Sequence, residues 1–262
     1  MRTHKLFALA AMLTVGTIAN AQYLSLKHKR YDGKWGTESM TMSNKPNGNS
    51  YRLREEVRIT DLPRPEGTDG LQLFISEKIG IGYQAFYRIP TASPNYDKFM
   101  LALHDNDKQL VQVLDLLQIA GESCGEVVDV RHDGETNCIY FNVTGLGMKD
   151  HEAEASRIYC YSLDKARLLW KSETFTSNDI IVVDGDYVFS SYGGSFVKDY
   201  VFMLDKRSGK RFAQMLTRTA VENMEVKHVA GKAMLYAVDY NNTLYIYDIH
   251  TTGTAPAVKT KK

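Results

Sequence analysis

The chain has 262 residues, of which 44% are hydrophobic and 24% charged, and its formal net charge is +1. This composition is that of a globular protein with enough apolar residues for a core. The near balance of charge excludes a protein that binds nucleic acid or an anionic membrane through bulk electrostatics, because both depend on a basic excess. With 16 Tyr, 10 Phe and only 6 Pro, the chain favours half-buried strands, so we predict an all-β protein.

A signal peptide is predicted at residues 1–21. A basic start at 1–5 precedes an apolar run at 6–18, which is shorter than the ~20 residues that span a bilayer. Residues 19–21, Ala-Asn-Ala, fit a signal-peptidase site, and the alternative is an uncleaved anchor helix. No later stretch is apolar enough to be transmembrane. We therefore expect an exported protein, periplasmic or extracellular, that begins at Gln22.

The first half of the chain reads as strands separated by loops. The segment at 61–67 contains two Pro residues and a Gly, which remove backbone donors and favour turns. In chain order the predicted elements are a strand at 23–29, a hairpin of 35–43 with 50–60, a loop at 61–67, a hairpin of 71–76 with 80–89, and a pair of strands at 99–108 and 109–117.

The second half repeats one sequence motif, in which an aromatic-rich strand is followed by an Asp and a turn. Its copies place the Asp at 164, 205 and 248, which are 41 and 43 residues apart. That period is typical of propeller blades of four antiparallel strands. We predict a single β-propeller over residues 22–250, with five blades as the expected number and four or six as alternatives.

The last unit, residues 222–249, has three recognisable strands and no fourth. A propeller can complete such a blade with a strand from the other end of the chain, which removes unpaired edges. The strand at 23–29 is the expected donor. Residues 251–262 form a polar, basic tail without apolar periodicity, and we expect this tail to be disordered and the protein to be a monomer.

Two copies of this motif, at residues 161–172 and 203–210, resemble the repeat of the quinoprotein-like (PQQ-like) propellers. In that repeat an Asp precedes a Thr-Gly-Lys turn, and a Trp ends the blade. The chain departs from that repeat because its Trp residues are only Trp35 and Trp170, and the turn near Lys165 lacks Gly. The family includes quinone-dependent dehydrogenases and cofactor-free periplasmic scaffolds that help assemble outer-membrane proteins. The dehydrogenases usually have eight blades, more than this chain can supply. The resemblance therefore implies a propeller, and we expect no cofactor.

The resemblance also implies a role for Trp170. In the repeat this residue docks between blades, so we predict that Trp170 is structural. The alternative is an exposed platform on which a sugar or an aromatic ligand stacks.

Three cysteines, Cys124, Cys138 and Cys160, lie in a chain expected to be exported, where disulfides are permitted. If residues 139–143 pair antiparallel with 157–161, the register would place Cys138 opposite Cys160. A disulfide between these two is one prediction, and buried free thiols are the alternative. No Cys-x-x-Cys or spaced His pair indicates a metal site.

No set of residues indicates catalysis. The triplet Arg131-His132-Asp133 precedes Gly134, and Asp before Gly is typical of a hairpin turn, so we interpret it as turn chemistry. The Gly-rich and then acidic loop at 144–155 is an insertion, which we interpret as a solvated loop without a function. The alternative is that it lies on a binding face, as insertions in repeat folds often do.

We therefore predict no catalytic, cofactor-binding or metal-binding residue. The expected function is that of an exported, non-catalytic scaffold or binding module with a protein or glycan partner in the cell envelope. The alternative is a five-bladed glycan-active enzyme with two or three carboxylates at one mouth of the channel, one of them with a raised pKa.

Overall fold

The computed structural model describes residues 22–31, 59, 61–89, 98–122, 125–145, 156–194, 197–241 and 243–251. The predicted signal peptide, nearly all of the hairpin at 35–43 and 50–60, Cys124 and residues 252–262 lie outside the described residues. Within the described ranges no helix is long and apolar enough to cross a membrane.

The described residues form sixteen strands and one short helix, and all paired strands are antiparallel. The elements in chain order are β1 (Tyr23–Tyr31), β2 (Gln72–Ile79), β3 (Gly82–Arg88), β4 (Phe99–His104), β5 (Leu110–Asp115), α1 (Leu116–Ala120), β6 (Glu126–Asp133), β7 (Cys138–Thr144), β8 (Arg157–Ser162), β9 (Arg167–Lys171), β10 (Ile181–Asp184), β11 (Tyr187–Gly194), β12 (Val197–Asp205), β13 (Arg211–Leu216), β14 (Val221–Val229), β15 (Lys232–Asp239) and β16 (Thr243–His250).

These strands make four sheets of four strands each. Blade 1 is β2-β3-β4-β5, blade 2 is β6-β7-β8-β9, blade 3 is β10-β11-β12-β13, and blade 4 is β14-β15-β16-β1. The prediction of an all-β propeller with four-stranded antiparallel blades is confirmed. Four blades lie within the described residues, and the expected number of five stays a prediction.

The strand borrowed from the N-terminus is present as predicted. Strand β1 pairs antiparallel with β16, from Tyr23 opposite His250 to Tyr31 opposite Thr243. Leu24 of this strand is 5% exposed and belongs to the core between blades 3 and 4. The last blade is therefore completed by the first strand of the chain.

In blade 3 the repeated Asp begins the turn between the third and fourth strands, whereas Asp248 of blade 4 lies within β16. Asp205 accepts a hydrogen bond from the backbone N–H of Arg207 at 2.7 Å, and its carbonyl accepts one from Gly209 at 2.9 Å. Gly209 has φ +70°, a conformation that glycine adopts without the steric cost of a Cβ. The Asp and the Gly of this copy of the motif thus specify the turn.

Blade 1 ends in a helix that the sequence did not predict. The strand expected at 109–117 stops at Asp115, whose side chain accepts a hydrogen bond from the N–H of Gln118 and caps α1. Gly121, in the left-handed conformation, ends the helix. Leu116 and Leu117 are buried in the core between blades 1 and 2.

Neighbouring blades pack face to face through alternate side chains of their middle strands. Phe86 and Leu101 of blade 1 share one buried cluster with Phe141 and Tyr159 of blade 2. The next residues along the strands of blade 2 point to its other face, because side chains alternate along a strand. Blade 2 therefore contributes to two interfaces.

The same alternation continues around the ring. Tyr140 and Cys160 of blade 2 cluster with Phe202 of blade 3, while Phe189 of blade 3 clusters with Tyr245 of blade 4. Blades 1 to 4 are thus packed in chain order through three apolar interfaces.

The two ends of the propeller differ. Antiparallel order places the turns at 80–81, 105–109, 134–137, 163–166, 185–186, 206–210 and 230–231 at one end, which we call the short-turn end. The opposite end carries the connections at 89–98, 116–125, 145–156, 172–180, 195–196, 217–220 and 240–242. Four of these connections are longer than any at the short-turn end, so we call it the long-loop end.

At the short-turn end an ion pair joins blades 2 and 3. Lys206 is buried, and its Nζ lies 3.1 Å from Asp133 Oδ2 and 2.7 Å from Glu135 Oε2. Burial by itself raises the pKa of Asp133, but hydrogen bonds from Thr136 and Lys206 bring that pKa below its usual value of 3.8. The folded state therefore favours the charged carboxylate.

We expect Asp133→Asn to reduce stability at pH 7 by about 1 to 3 kcal/mol, because buried Lys206 then keeps only the largely exposed Glu135 as a charged partner. A lowered pKa gives stability that is present above the unfolded value near 3.8 and is lost as the pH falls through the folded value. The difference from the wild type should therefore shrink between pH 5 and pH 2. Urea unfolding across this range measures it.

The matched control for this prediction is Asp186→Asn. Asp186 lies 4.0 Å from Arg207, and both side chains are largely exposed, so its removal should change stability little at any pH. Equal losses for the two variants at pH 7 would contradict the role given to Asp133.

Candidate binding face at the long-loop end

Trp170 lies between blades 2 and 3 rather than on an open surface. It is 9% exposed, and its Nε1–H donates to the carbonyl of Lys206 at 3.1 Å. Its ring covers Gly209, where an added Cβ would lie 2.4 Å from Cε3 of the indole. This is the geometry that a structural role requires, and the prediction of that role awaits an unfolding measurement.

The two described cysteines do not face each other. Strands β7 and β8 pair with Cys138 opposite Ser162 and Cys160 opposite Tyr140, so the expected register was wrong by two residues. Both residues are buried free thiols. Burial, together with the neighbouring Cys138, raises the pKa of Cys160 to about 12, which disfavours its thiolate. The register argument for a disulfide fails, and a bond in the oxidised protein stays a prediction for mass spectrometry of the unreduced chain.

Asp133 and His132 of the triplet at 131–133 take part in turn chemistry, as interpreted from the sequence, whereas Arg131 donates to the carbonyl of Ile181 on blade 3 at 2.8 Å. Asp133 accepts hydrogen bonds from the Thr136 hydroxyl at 2.6 Å and the Glu135 N–H at 3.3 Å. His132 Nε2 lies 3.1 Å from the Asn137 side-chain oxygen within the same turn. These side chains hold the hairpin rather than form an acid/base pair.

Exposed apolar side chains gather at the long-loop end around blades 3 and 4. Phe175 is 40% exposed and Tyr240 is 62% exposed, and Val197 and Leu216 are also exposed. Each lies in, or directly beside, a connection at this end. Exposed aromatic and aliphatic groups of this kind mark surfaces that contact a partner.

Phe175 is held in an unusual backbone conformation. Its φ is +55°, a left-handed value that is uncommon for a bulky residue. Its ring meets the ring of Tyr192 edge-on, with centroids 5.5 Å apart. Tyr192 faces Tyr200 on the next strand, and Tyr200 faces Leu216. These positions form a row across blade 3 that begins and ends with an exposed side chain.

The loop that carries Phe175 is fixed by hydrogen bonds on both sides. Arg211 donates to the Thr176 hydroxyl at 2.8 Å, and its guanidinium lies 4.2 Å from the ring centre of Phe202. The N–H groups of Thr176 and Ser177 donate to the carbonyl of Ser156 at 2.8 and 3.1 Å. The exposed ring is thus presented by a rigid support.

The described ends of the predicted insertion at 144–155 lie at this end of the propeller. Its residues 146–155 lie outside the described part of the chain, but both ends are described, at Gly145 and Ser156. Ser156 is the residue whose carbonyl binds the Phe175 loop, and its own N–H donates to Val143 at 2.7 Å. The insertion therefore leaves and rejoins the propeller beside Phe175.

Carboxylates also gather at this end, at the junction of blades 3 and 4. Burial raises the pKa of Asp199 and of Glu222, and the nearby carboxylate of Asp239 raises each further. Asp239 accepts hydrogen bonds from the N–H of Thr243 at 2.8 Å and the Tyr245 hydroxyl at 3.1 Å, so it also holds the turn after β15. Among the described residues no cluster of three potential metal ligands forms.

Sequence reasoning did not identify Phe175 or these carboxylates. Phe175 lies in a segment without periodicity, and its exposure depends on Tyr192 and Arg211 from two other strands. A non-glycine residue in left-handed conformation has no signature in a single sequence. The carboxylates come from separate strands of two blades, so spacing along the chain could not bring them together.

No family model matches the chain, and no curated protein matches it. Solved structures do match. BamB from Moraxella catarrhalis is 14% identical, with a TM-score of 0.42, over 66% of this chain and 42% of that one. BBS1N in complex with ARL6DN is 11% identical, with a TM-score of 0.46, over 71% of this chain and 53% of that one.

A third similar structure is the quinohemoprotein alcohol dehydrogenase ADHIIG from Pseudomonas putida HK5. It is 8% identical, with a TM-score of 0.41, over 73% of this chain and 40% of that one. The chain thus spans about half or less of the length of each of these structures. At these identities and TM-scores the likeness supports no conclusion about family or function.

Proposed function

We propose that the protein is an exported, non-catalytic propeller that binds a protein or glycan partner in the cell envelope through its long-loop end. The observation that carries this proposal is the exposed and rigidly held ring of Phe175 among other exposed apolar side chains. The short-turn end also has exposed apolar side chains, at Ile81, Leu110 and Val229, but none of these is aromatic and its turns are short. A single partner face on a monomeric scaffold is the function that this asymmetry favours.

Energetics support a binding role for Phe175. A left-handed φ on a non-glycine residue costs of order 1 to 3 kcal/mol, and such strain is found where surrounding contacts enforce it. Here Arg211 and Thr176 enforce it, although an exposed Phe contributes little to the core. A preorganised aromatic side chain loses little conformational entropy on binding, which is why such residues dominate interfaces.

The test is retention of a partner by the immobilised protein, with envelope extract and a glycan array as the two sources. We expect Phe175→Ser combined with Tyr240→Ser to reduce retention of the bound species at least about tenfold, since truncation of a central aromatic residue typically costs about 2 kcal/mol or more. Retention from only one source would identify the partner as protein or glycan.

The matched control carries the same kind of change at the other end. Ile81 and Val229 are exposed in, or beside, turns of the short-turn end, so Ile81→Ser with Val229→Ser should retain the partner fully. Loss of binding in this control, with full binding by the Phe175 and Tyr240 variant, would overturn the proposed face.

A second function, glycan hydrolysis, is favoured by one observation. Glu222 is the second residue of β14, the first strand of blade 4, and its raised pKa suits a general acid near the carboxylate of Asp239. The engagement of Asp239 in its turn weighs against it. Release of reducing sugar by the wild type, abolished in Glu222→Gln with stability unchanged, would favour this function over the first.

A further inference from the structure

The carboxylates at the junction of blades 3 and 4 have no cation beside them. Asp199, Glu222 and Asp239 form no ion pair with any described residue. Three other carboxylates of the propeller each lie within 3.1 Å of a cation, namely Asp129 with Arg131, Asp133 with Lys206 and Glu126 with Arg88. Carboxylates that are brought together without a cation mark a candidate functional site.

The connection at 217–220 brings these carboxylates together from two blades. At its start the N–H of Thr217 donates to the carbonyl of Asp199 on blade 3 at 2.9 Å. Directly after its end Val221 lies opposite Asp239 on blade 4. The backbone of one short connection therefore holds Asp199 near Asp239.

Two of the three carboxylates can accept further donors. Glu222 is the extra residue of a bulge in β14, and a bulge turns its side chain away from the regular ladder. The Glu222 carboxylate accepts no hydrogen bond from the described residues, and Asp199 accepts one, from the N–H of Gly194 at 2.9 Å. Asp239 is engaged by its own turn, so it contributes mainly its charge.

A buried hydroxyl without a partner faces the same junction. Tyr247 is 1% exposed, and its hydroxyl has no hydrogen-bond partner among the described residues. Its ring lies parallel to that of Tyr245, within 2°, and the Tyr245 hydroxyl donates to Asp239 at 3.1 Å. Burial raises the pKa of Tyr247, and the nearby Tyr245 and Asp239 raise it further. A buried polar group without a partner is costly, which points to a group from outside the chain.

Exposed apolar side chains border the carboxylates. Val197 lies two residues before Asp199, and Tyr240 directly follows Asp239. Leu216 ends β13, just before the connection at the junction. The acidic site is thus continuous with the proposed binding face. Its border suits a side chain that is apolar along its length and cationic at its tip.

We propose that Asp199, Glu222 and the Tyr247 hydroxyl, with the charge of Asp239 behind them, bind an arginine side chain of a protein partner. We call this set the acidic site. A guanidinium group presents five N–H donors in a planar fork, so one group can reach two carboxylates and a hydroxyl. A lysine ammonium is a more strongly hydrated point charge and fits less well. This proposal rests on the proposed function and narrows the partner to a protein with an arginine in its contact segment.

Two matched peptides test the acidic site on the purified protein. Acetylated and amidated Leu-Arg-Leu and Leu-Gln-Leu differ only in the central side chain, and broadening of their methyl signals in NMR titrations reports binding. We expect the arginine peptide to bind at least about tenfold more tightly, which is within the contribution of hydrogen bonds between charged groups. Equal affinities would overturn the proposal.

A pair of double variants locates the site. Asp199→Asn with Glu222→Gln keeps the shape of both side chains, and we expect it to abolish the preference for the arginine peptide. Asp107→Asn with Asp186→Asn removes the same charge from exposed positions at the short-turn end and should keep the preference. If the first variant fails to fold, either of its single substitutions should reduce the preference at least about threefold. An unchanged preference in the folded variant, or an equal loss in the control, would contradict the assignment.

Two further arms separate this proposal from the proposed function. Free arginine that binds as tightly as the peptide would indicate a small-molecule site and would overturn the protein partner. An envelope partner that is lost from the Phe175 and Tyr240 variant but fully retained by the Asp199 and Glu222 variant would leave the proposed face intact and overturn the acidic site. Failure to retain any partner would count against the proposed function alone, because the peptide comparison does not depend on it.

Discussion

Deletion of residues 22–31 is expected to abolish cooperative unfolding of the propeller, whereas deletion of residues 252–262 should leave the melting temperature unchanged. The first deletion removes β1 and leaves β16 as an unpaired edge of blade 4. The pairing runs from Tyr23 to Tyr31, and each lost backbone hydrogen bond costs about 0.5 to 1.5 kcal/mol. The sum is comparable to the ~5 to 15 kcal/mol that stabilises a domain. Circular dichroism during heating measures both variants.

A finer version of this experiment uses two leucines of the same strand. Leu24 is 5% exposed and Leu26 is 47% exposed, so Leu24→Ala should cost about 2 to 5 kcal/mol and Leu26→Ala under about 1 kcal/mol. Both variants keep the backbone pairing with β16. Equal losses in the two variants, or equal melting temperatures for the two deletions, would contradict the role of β1.

The features that sequence predicted well are those with local causes. The Asp that ends the aromatic-rich strand begins a turn in which its side chain bonds backbone two residues on, as at Asp205 and Arg207. The spacing of this Asp, at 164, 205 and 248, revealed the propeller and the missing fourth strand of blade 4, although Asp248 itself lies within β16. The position of β1 followed because an incomplete blade needs a partner strand.

Register was not predictable in the same way. The pairing of β7 with β8 is set by where the connection at 145–156 rejoins the sheet, and a shift of two residues leaves every side chain on its own face. The apolar pattern is therefore equally satisfied by both registers. Cys138 and Cys160 lie on the expected face but not opposite each other.

Features that join different blades were the least predictable. The ion pair of Lys206 with Asp133 and the hydrogen bond from Arg211 to Thr176, beside Phe175, each join residues that are 35 or more positions apart. Neither pair leaves a pattern in a single sequence. Sequence patterns indicated the loop at 144–155 as a binding insertion only as an alternative, and its described end at Ser156 accepts hydrogen bonds from the loop that carries Phe175.

Trp170→Ala is expected to cost about 3 to 5 kcal/mol, as truncation of a buried indole does. The ring loses its contact with Tyr140, 5.8 Å away between centroids, and the carbonyl of Lys206 loses its donor. Thermal unfolding should show a lower melting temperature by about 10 °C. An unchanged melting temperature, with ready acrylamide quenching of Trp170 in a Trp35→Phe background, would instead favour the ligand platform.

A double-mutant cycle with Gly209 separates docking of the indole from other effects. In Gly209→Ala the new Cβ would lie 2.4 Å from the indole, and the residue would keep φ near +70°, so the substitution should destabilise through both contact and strain. Gly185→Ala, with φ +53° and no atom within 4 Å of the new Cβ, should lose only the ~1 kcal/mol of strain. In a Trp170→Ala background the contact disappears, and Gly209→Ala should then cost no more than Gly185→Ala. Because groups in contact couple by about 0.5 to 3 kcal/mol, strictly additive losses would show that Trp170 does not dock on this turn.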